Sequence, residues 1–347
     1  MALERSTNLS AARIPSLDGL RALAIGLVLL CHFTDYPDLA RPARMMLDRY
    51  GHAGVRIFFV LSGFLITTLL LQERKRLGRI DVKKFYVRRA YRILPVAYLY
   101  MIFVTAVFFS ALTAKDIAVA FSYSTAYVND RPYVLTHLWS LSVEEQFYLV
   151  WPAIVVISVV LARWVAVGVV VGAPIIRLVM LTAHLGQSRL LPMSADALAI
   201  GCLLALLQPQ LIHIPFFKRQ SGRAIWILVL AIPALAAGGR TYQCVLIPIF
   251  DLAVALGIQS AITAKYSLLN AAIPVWIGRV SYSLYLWHMP FSELSRRVWY
   301  TRFPVNVVLS FLVAATSYYV VEQPILRFRD RKRQSQSLLP HPPMESA

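Results

Sequence analysis

The sequence predicts an all-α fold: a polytopic transmembrane helical bundle of about ten spans. Three observations predict it. The chain of 347 residues is 58% hydrophobic, with mean hydropathy +0.61. Only 15% of its residues are charged, against about 25% in an ordinary soluble domain. The apolar residues also come in blocks, such as Leu23 to Leu30, Val96 to Leu112, Leu149 to Leu161 and Val305 to Ala315. Backbone polar groups have no water to bond in hydrocarbon, so repeated apolar runs of this kind call for helices.

Taken in order, the expected spans fall near 17–34, 53–72, 93–112, 140–162, 164–182, 192–208, 224–239, 244–263, 273–291 and 304–321. Each is close to the roughly 20 residues that cross a bilayer. The stretch 115–137 is apolar from Ile117 to Ala126 only. It is too short to span, and is expected as a re-entrant or interfacial piece on the outer side. Residues 1–13 are expected as a cytoplasmic N-terminal segment, 14–329 as the transmembrane domain, and 330–347 as a short disordered cytoplasmic tail. No second soluble domain and no internal repeat are expected. Leu17 to Phe33 lacks the small-residue cleavage site of a signal peptide.

The net charge of +18 would suggest nucleic acid in a soluble protein. Here the basic residues cluster between apolar runs, as the positive-inside rule expects. Segment 73–92 carries nine Lys and Arg, and Arg327 to Arg333 carries five. Lys218, Arg219 and Arg223 mark a further inner turn. With ten spans and both termini cytoplasmic, all three fall on one side. The loop 35–52 balances three Asp against three Arg, which suits the outer side. Arg296, Arg297 and Arg302 argue the other way. Cys31, Cys202 and Cys244 sit in apolar segments and form neither a disulfide framework nor a metal motif.

Ionisable groups inside a span are costly and need a reason. The first span holds Asp18, Arg21 and His32. Eleven residues separate Arg21 from His32. At about 100° per residue they share one face, about 16 Å apart along the axis. Asp35 follows on that face and is placed to hold the other ring nitrogen. A structural Arg near headgroups and an interfacial His remain the alternative. The fourth span opens HLWSLSVEEQFYLVWP. Neighbouring residues point in different directions, so at most one of Glu144 and Glu145 faces a site. Trp139, Phe147, Tyr148 and Trp151 read as an interfacial aromatic belt.

Arg89 and Arg92 lie three residues apart in an amphipathic pattern and project together. They suit an anionic ligand entering from the cytoplasm, or they simply anchor the topology. The ninth span places Ser281, Tyr282, Tyr285 and His288 on one polar stripe. That stripe is either interhelical hydrogen bonding or a cavity wall. The last span closes on Glu322, Gln323 and Pro324.

Taken together, SLDGLRALAIGLVLLCHF, GVRIFFVLSGFLITTLL, KKFYVRRAYRILP, HLWSLSVEEQFYLVWP and SYSLYLWHMPF resemble acyltransferase family 3, from Ile14 to about Arg329. The resemblance implies a membrane O-acyltransferase. Members acylate carbohydrates such as lipopolysaccharide O-antigen, exopolysaccharide and Nod factors, and some acylate macrolides. The usual donor is acyl-CoA, most often acetyl-CoA, as co-substrate, with no bound cofactor. The family's Arg–ten residues–His pattern falls on Arg21 and His32, and implies His32 as the catalytic residue. The paired-Arg motif falls on Arg89 and Arg92, with Lys84 and Arg88 beside them, and implies the donor side. The carboxylate of the Ser-Leu-x-Val-Glu motif falls on Glu144. The polar stripe and Asp196 are then expected in the acceptor or cavity wall. Many members carry Arg two residues before that Asp; here Ser194 stands there.

The expected reaction is transfer of an acyl group, most simply acetyl, from acyl-CoA to a glycan hydroxyl. His32 acts as general base, Arg21 stabilises negative charge, and Asp35 or Glu144 orients the imidazole. The expected location is the cytoplasmic membrane. A transporter or flippase of a polar lipid-linked sugar, using the same intramembrane residues, is the alternative.

Overall fold

The computed structural model describes residues 14–34, 40–183, 191–211, 213–215, 223–235, 239–264, 266–293 and 298–337. Among them there is no strand. The helices are α1 (Pro15–Thr34), α2 (Arg41–Leu77), α3 (Val82–Val107), α4 (Ala114–Phe121), α5 (Tyr133–Thr136), α6 (Leu138–Ile157), α7 (Val159–Thr182) and α8 (Leu191–Leu211). They continue with α9 (Arg223–Ala231), α10 (Gly239–Thr263), α11 (Ala272–Trp287), α12 (Met289–Ser292), α13 (Val305–Ser317) and α14 (Gln323–Ser337).

All ten expected spans fall on helices. Among the described residues, eight helices are long and apolar enough to cross a membrane. α9 is shorter, and α11 has only 16 residues. α11 and α12 meet at His288, and together cover about 31 Å at 1.5 Å per residue. That matches a hydrocarbon core of about 30 Å. The chain is therefore a multi-pass membrane protein with an all-α bundle.

Several boundaries move from their expected places. Residues 41–52 are not loop but the first turns of α2. That helix runs on to Leu77 and stops at Gly78, whose φ of 69° is the left-handed cap glycine favours. Asp81 then caps α3 by accepting from the backbone N–H of Lys84 at 2.9 Å. That bond, with the Lys84 ammonium, holds the Asp81 carboxyl below its usual range. The segment 115–137 is neither empty loop nor span. It holds α4, a 3-10 turn at Thr125–Tyr127 and α5, tied down where Tyr100 donates to the Val134 carbonyl at 2.6 Å. Helix α14 reaches Ser337, so the start of the expected disordered tail is helical. Residues 1–13, Lys218, Arg219, Arg296, Arg297 and 338–347 lie outside the described residues.

The aromatic residues of α6 are not a belt. Trp139, Phe147, Tyr148 and Trp151 are all buried. Trp139, Val143, Phe147, Trp151 and Val155 recur every four residues, which puts them on one helix face. The face packs inward: Trp139 meets Phe59 edge-on at 5.9 Å, and Trp151 donates to Thr67 at 2.8 Å. By contrast α7 is peripheral. It buries only Ala162, Ala166, Ala173 and Arg177, and turns Val160, Trp164, Val171 and Ile175 outward. Small residues on the buried stripe let α7 and α8 approach closely.

One close crossing joins α2 and α8. A Cβ at Gly63 would collide with the Leu198 carbonyl, and one at Gly201 with the Val60 carbonyl. Each helix thus seats its backbone against the other. Gly63→Ala is expected to destabilise by about 1–3 kcal/mol, the usual cost of overpacking. Gly168→Ala on α7, with open space at its Cβ, is expected to be neutral or slightly stabilising. Thermal unfolding of the detergent-solubilised protein, comparing the two variants, checks this.

Candidate active site

Five helices line one cavity. Four of them contribute residues about one turn apart, so each of these turns a single face inward. α1 gives Arg21. α2 gives Val55, Phe58, Phe59 and Ser62. α3 gives Arg89, Arg92 and Ile93. α6 gives Ser140, Leu141, Glu144 and Tyr148. α11 gives Ser281, Tyr282 and Tyr285.

One end of this cavity is cationic. Arg21, Arg89 and Arg92 all line it, and Arg92 lies within electrostatic reach of the other two. Arg21 pairs with the buried Asp18 at 3.2 Å. The Arg89 guanidinium sits over the Tyr148 ring, 4.1 Å from its centroid, and its Nε is buried without a hydrogen-bond partner. Glu144 Oε1 accepts from Ser62 at 2.5 Å, and Tyr148 donates to the same Ser62 oxygen at 3.2 Å. Glu144 therefore belongs to the guanidinium end of the cavity. It is Glu144, not Glu145, that lines the cavity.

Elsewhere the lining carries hydroxyls, Ser140, Ser281, Tyr282 and Tyr285, with imidazoles standing behind Tyr285. Tyr285 lies 2.6 Å from the Ser140 hydroxyl and donates to the His137 carbonyl at 2.9 Å. Tyr282 donates to the Ile93 carbonyl at 2.8 Å. One turn beyond Tyr285 stands His288, fully buried. Its Nε2 is 3.3 Å from His32 Nδ1, with the two rings 5.0 Å apart. His137 lies 5.6 Å from His288, packed between Tyr100 and Tyr285. Among the described residues no group of three or more side chains is placed to hold a metal ion.

The structure thus brings Arg21, Arg89, Arg92, Glu144, Ser281, Tyr282 and Tyr285 to one cavity, with His32 and His288 paired next to Tyr285. It does not bring the other expected residues there. Lys84 is exposed and pairs with Asp81 at 3.0 Å. Arg88 pairs with Glu73 at 2.7 Å. Both occupy the corner between α2 and α3 rather than the cavity lining. Asp35 lies outside the described residues. Glu322 is buried and accepts from Ser283 at 2.9 Å.

Asp196 is also not in this cavity wall, and needs correcting. It is buried between two guanidiniums, accepting from Arg56 at 2.7 Å and from Arg177 at 2.5 Å. Arg56 in turn donates through Nε to Asp251 at 2.8 Å, with a second bond through Nη2. Four charges from α2, α7, α8 and α10 so neutralise one another. With Ser194 two residues upstream, Asp196 takes its cations from other helices. Sequence reasoning missed Arg56, Arg177 and Asp251, although a charge within an apolar run is itself a signal. It missed His137 too, whose only mark is that it opens the Glu144 motif.

Comparison with known proteins follows from this geometry. The model of acyltransferase family 3, described as an acyltransferase domain, matches residues 14–322. The peptidoglycan O-acetyltransferase OatA of Listeria monocytogenes is 30% identical over 369 positions, covering 93% of this chain and 57% of that protein. The O-acetyltransferase OatA of Staphylococcus aureus is 29% identical over 367 positions, covering 90% of this chain and 57% of its own length. The chain thus spans little more than half the length of these relatives. No solved structure matches it.

The ion network yields a stability test. Asp196→Ala leaves two buried guanidiniums short of a carboxylate, and breaking such a pair typically costs about 3–5 kcal/mol. Asp196→Leu combined with Arg177→Met removes both charges and is expected to recover much of the loss. Thermal unfolding of the two variants in detergent checks it.

Proposed function

The chain belongs to acyltransferase family 3, and on that premise we propose that it transfers an acyl group, acetyl in the first instance, from acyl-CoA to a glycan hydroxyl. One observation carries this reading: three guanidiniums converge on a single intramembrane cavity that runs toward a histidine pair. CoA bears several phosphates, and guanidiniums bind phosphate with charge-assisted, often bidentate hydrogen bonds. The orphaned Nε of Arg89 suits such a ligand. The relatives' names favour peptidoglycan as the glycan.

In this mechanism Arg89 and Arg92 hold the donor phosphates. Glu144, fixed by Ser62, keeps the Arg89 side of the cavity in register. His32 Nε2 takes the proton from the acceptor hydroxyl as its oxygen attacks the thioester carbonyl. Arg21 lies about 16 Å from His32 along α1, so its charge acts on the donor rather than on the reacting carbonyl. Collapse of the tetrahedral intermediate breaks the C–S bond, and the thiolate recovers a proton from the imidazolium. The donor enters from the cytoplasm, where both termini and the basic segment 73–92 lie, and the acceptor comes from the outer face of the cell membrane. The domain carrying this chemistry covers 14–329.

The experiment is CoA release from acetyl-CoA by the full chain in liposomes, with a soluble peptidoglycan oligomer as acceptor. His32→Gln keeps a hydrogen-bonding group but cannot act as base, and is expected to lower the rate by about 10²–10⁴-fold. Retention of most of the rate would remove His32 from the role. In the same assay Arg89→Ala with Arg92→Ala is expected to raise the KM for acetyl-CoA, at about 1.5–3 kcal/mol per lost charged hydrogen bond, and to leave the acceptor KM unchanged. An unchanged donor KM would return both arginines to topology anchoring.

A further inference from the structure

Two histidines from opposite ends of the sequence meet beside the cavity, and their hydrogen bonds fix which nitrogen carries each proton. His288 Nδ1 faces two acceptors of its own helix, the Tyr285 carbonyl at 2.8 Å and the Leu284 carbonyl at 3.2 Å. A carbonyl only accepts, so this nitrogen bears the hydrogen. In neutral imidazole the other nitrogen, Nε2, is then an acceptor. It points at His32 Nδ1, 3.3 Å away. His32 Nδ1 also lies 3.0 Å from the Val28 carbonyl, so it too bears the hydrogen. These two contacts of His32 Nδ1 are both acceptors, and they agree.

We infer that His288 is a positioning residue for His32: its neutral Nε2 accepts the His32 Nδ1 hydrogen and so leaves the His32 lone pair on Nε2. This deepens the proposed function and rests on His32 being the base there. The role is the one a third group plays behind a general base, holding tautomer and ring orientation. When His32 Nε2 takes the acceptor's proton, its Nδ1–H becomes a charged donor. The bond to His288 then strengthens, because charge-assisted hydrogen bonds are roughly twice as strong as neutral ones. No proton leaves His32 through Nδ1, and His288 ends the cycle as it began.

The surroundings explain why an imidazole suits the position. His288 is fully buried, with His137, Tyr285 and the Phe33 ring against it. A carboxylate there would need its own compensating charge inside the bundle. A neutral acceptor needs none. The Tyr285 and Leu284 carbonyls also hold His288 Nδ1 from one side, which stops its ring from flipping and exchanging donor for acceptor.

The test reads the tautomer directly and then the rate. The full chain, with ¹⁵N-labelled histidine and reconstituted in lipid bilayers, gives separate ring-nitrogen shifts for His32 and His288, assigned by their disappearance in His32→Gln and His288→Gln. A protonated Nδ1 with a lone-pair Nε2 on both residues is expected. A lone pair on His32 Nδ1 overturns the inference, whatever the activity of any variant. For the rate, His288→Leu is expected to lower kcat by at least about tenfold, at the lower edge of a base contribution, with both KM values unchanged. His288→Gln, whose amide oxygen accepts at a similar reach, is expected to restore most of it. A His288→Leu enzyme with wild-type kcat, or a glutamine variant as slow as the leucine one, overturns the positioning role. An active His32→Gln enzyme would instead count against His32 as base, while the nitrogen shifts still decide the hydrogen bond.

Discussion

A guanidinium within a bilayer cannot be left to itself. Water is absent, desolvation is severe, and the group must meet carboxylates, a π face or a hydrated cavity. This constraint sorts the intramembrane arginines into two sets. Arg56 and Arg177 are ion-paired with Asp196 and Asp251, which draws four helices into a neutral knot. Arg21, Arg89 and Arg92 instead line the cavity, Arg21 paired with Asp18 and Arg89 over the Tyr148 ring. The first set holds the bundle together. The second gives one part of the cavity wall its cationic character.

The knot and the cavity share α2. Arg56 faces α8 and α10, while Val55, Phe58, Phe59 and Ser62 face the cavity. The glycine contact between α2 and α8 lies one to two turns further on, at Gly63 and Gly201. Backbone apposition and ion pairing therefore fix the same helix against the same neighbour. Its rotation about its own axis is set, and with it the wall presented to the cavity. On α6 the same economy recurs: one face buries Trp139, Phe147 and Trp151, and an adjacent face carries Ser140, Glu144 and Tyr148.

Much of this was legible in the sequence. Apolar blocks located the eight helices long enough to span and the shorter α9 and α11, because the bilayer imposes a composition on each. Helical spacing placed Arg89 beside Arg92, and Ser281, Tyr282 and Tyr285 on one face, because those relations are local. What was not legible is what depends on contacts between distant segments. Asp196 looked like a cavity residue until Arg56 and Arg177, 140 and 19 positions away, were seen to hold it. Tryptophans near a span end suggest an interface, yet their four-residue spacing buried them instead. His32 and His288 could each be singled out alone, but no pattern in one chain announces that residues 256 positions apart touch.

Helix α2 has 37 residues, which is about 55 Å of α-helix in a hydrocarbon layer of about 30 Å. It is one rod longer than the layer it crosses. Near its N-terminal end Arg49 lies over the Tyr242 ring and Tyr50 reaches the Leu230 carbonyl. Near its C-terminal end Glu73 binds Arg88. A rod pinned at its middle cannot lean at one end alone. A tilt of about 5° would carry each tip by about 2–3 Å in opposite directions over its half-length. Over this length a displacement at one end of α2 is therefore tied to an opposite displacement at the other, through a helix that lines the cavity.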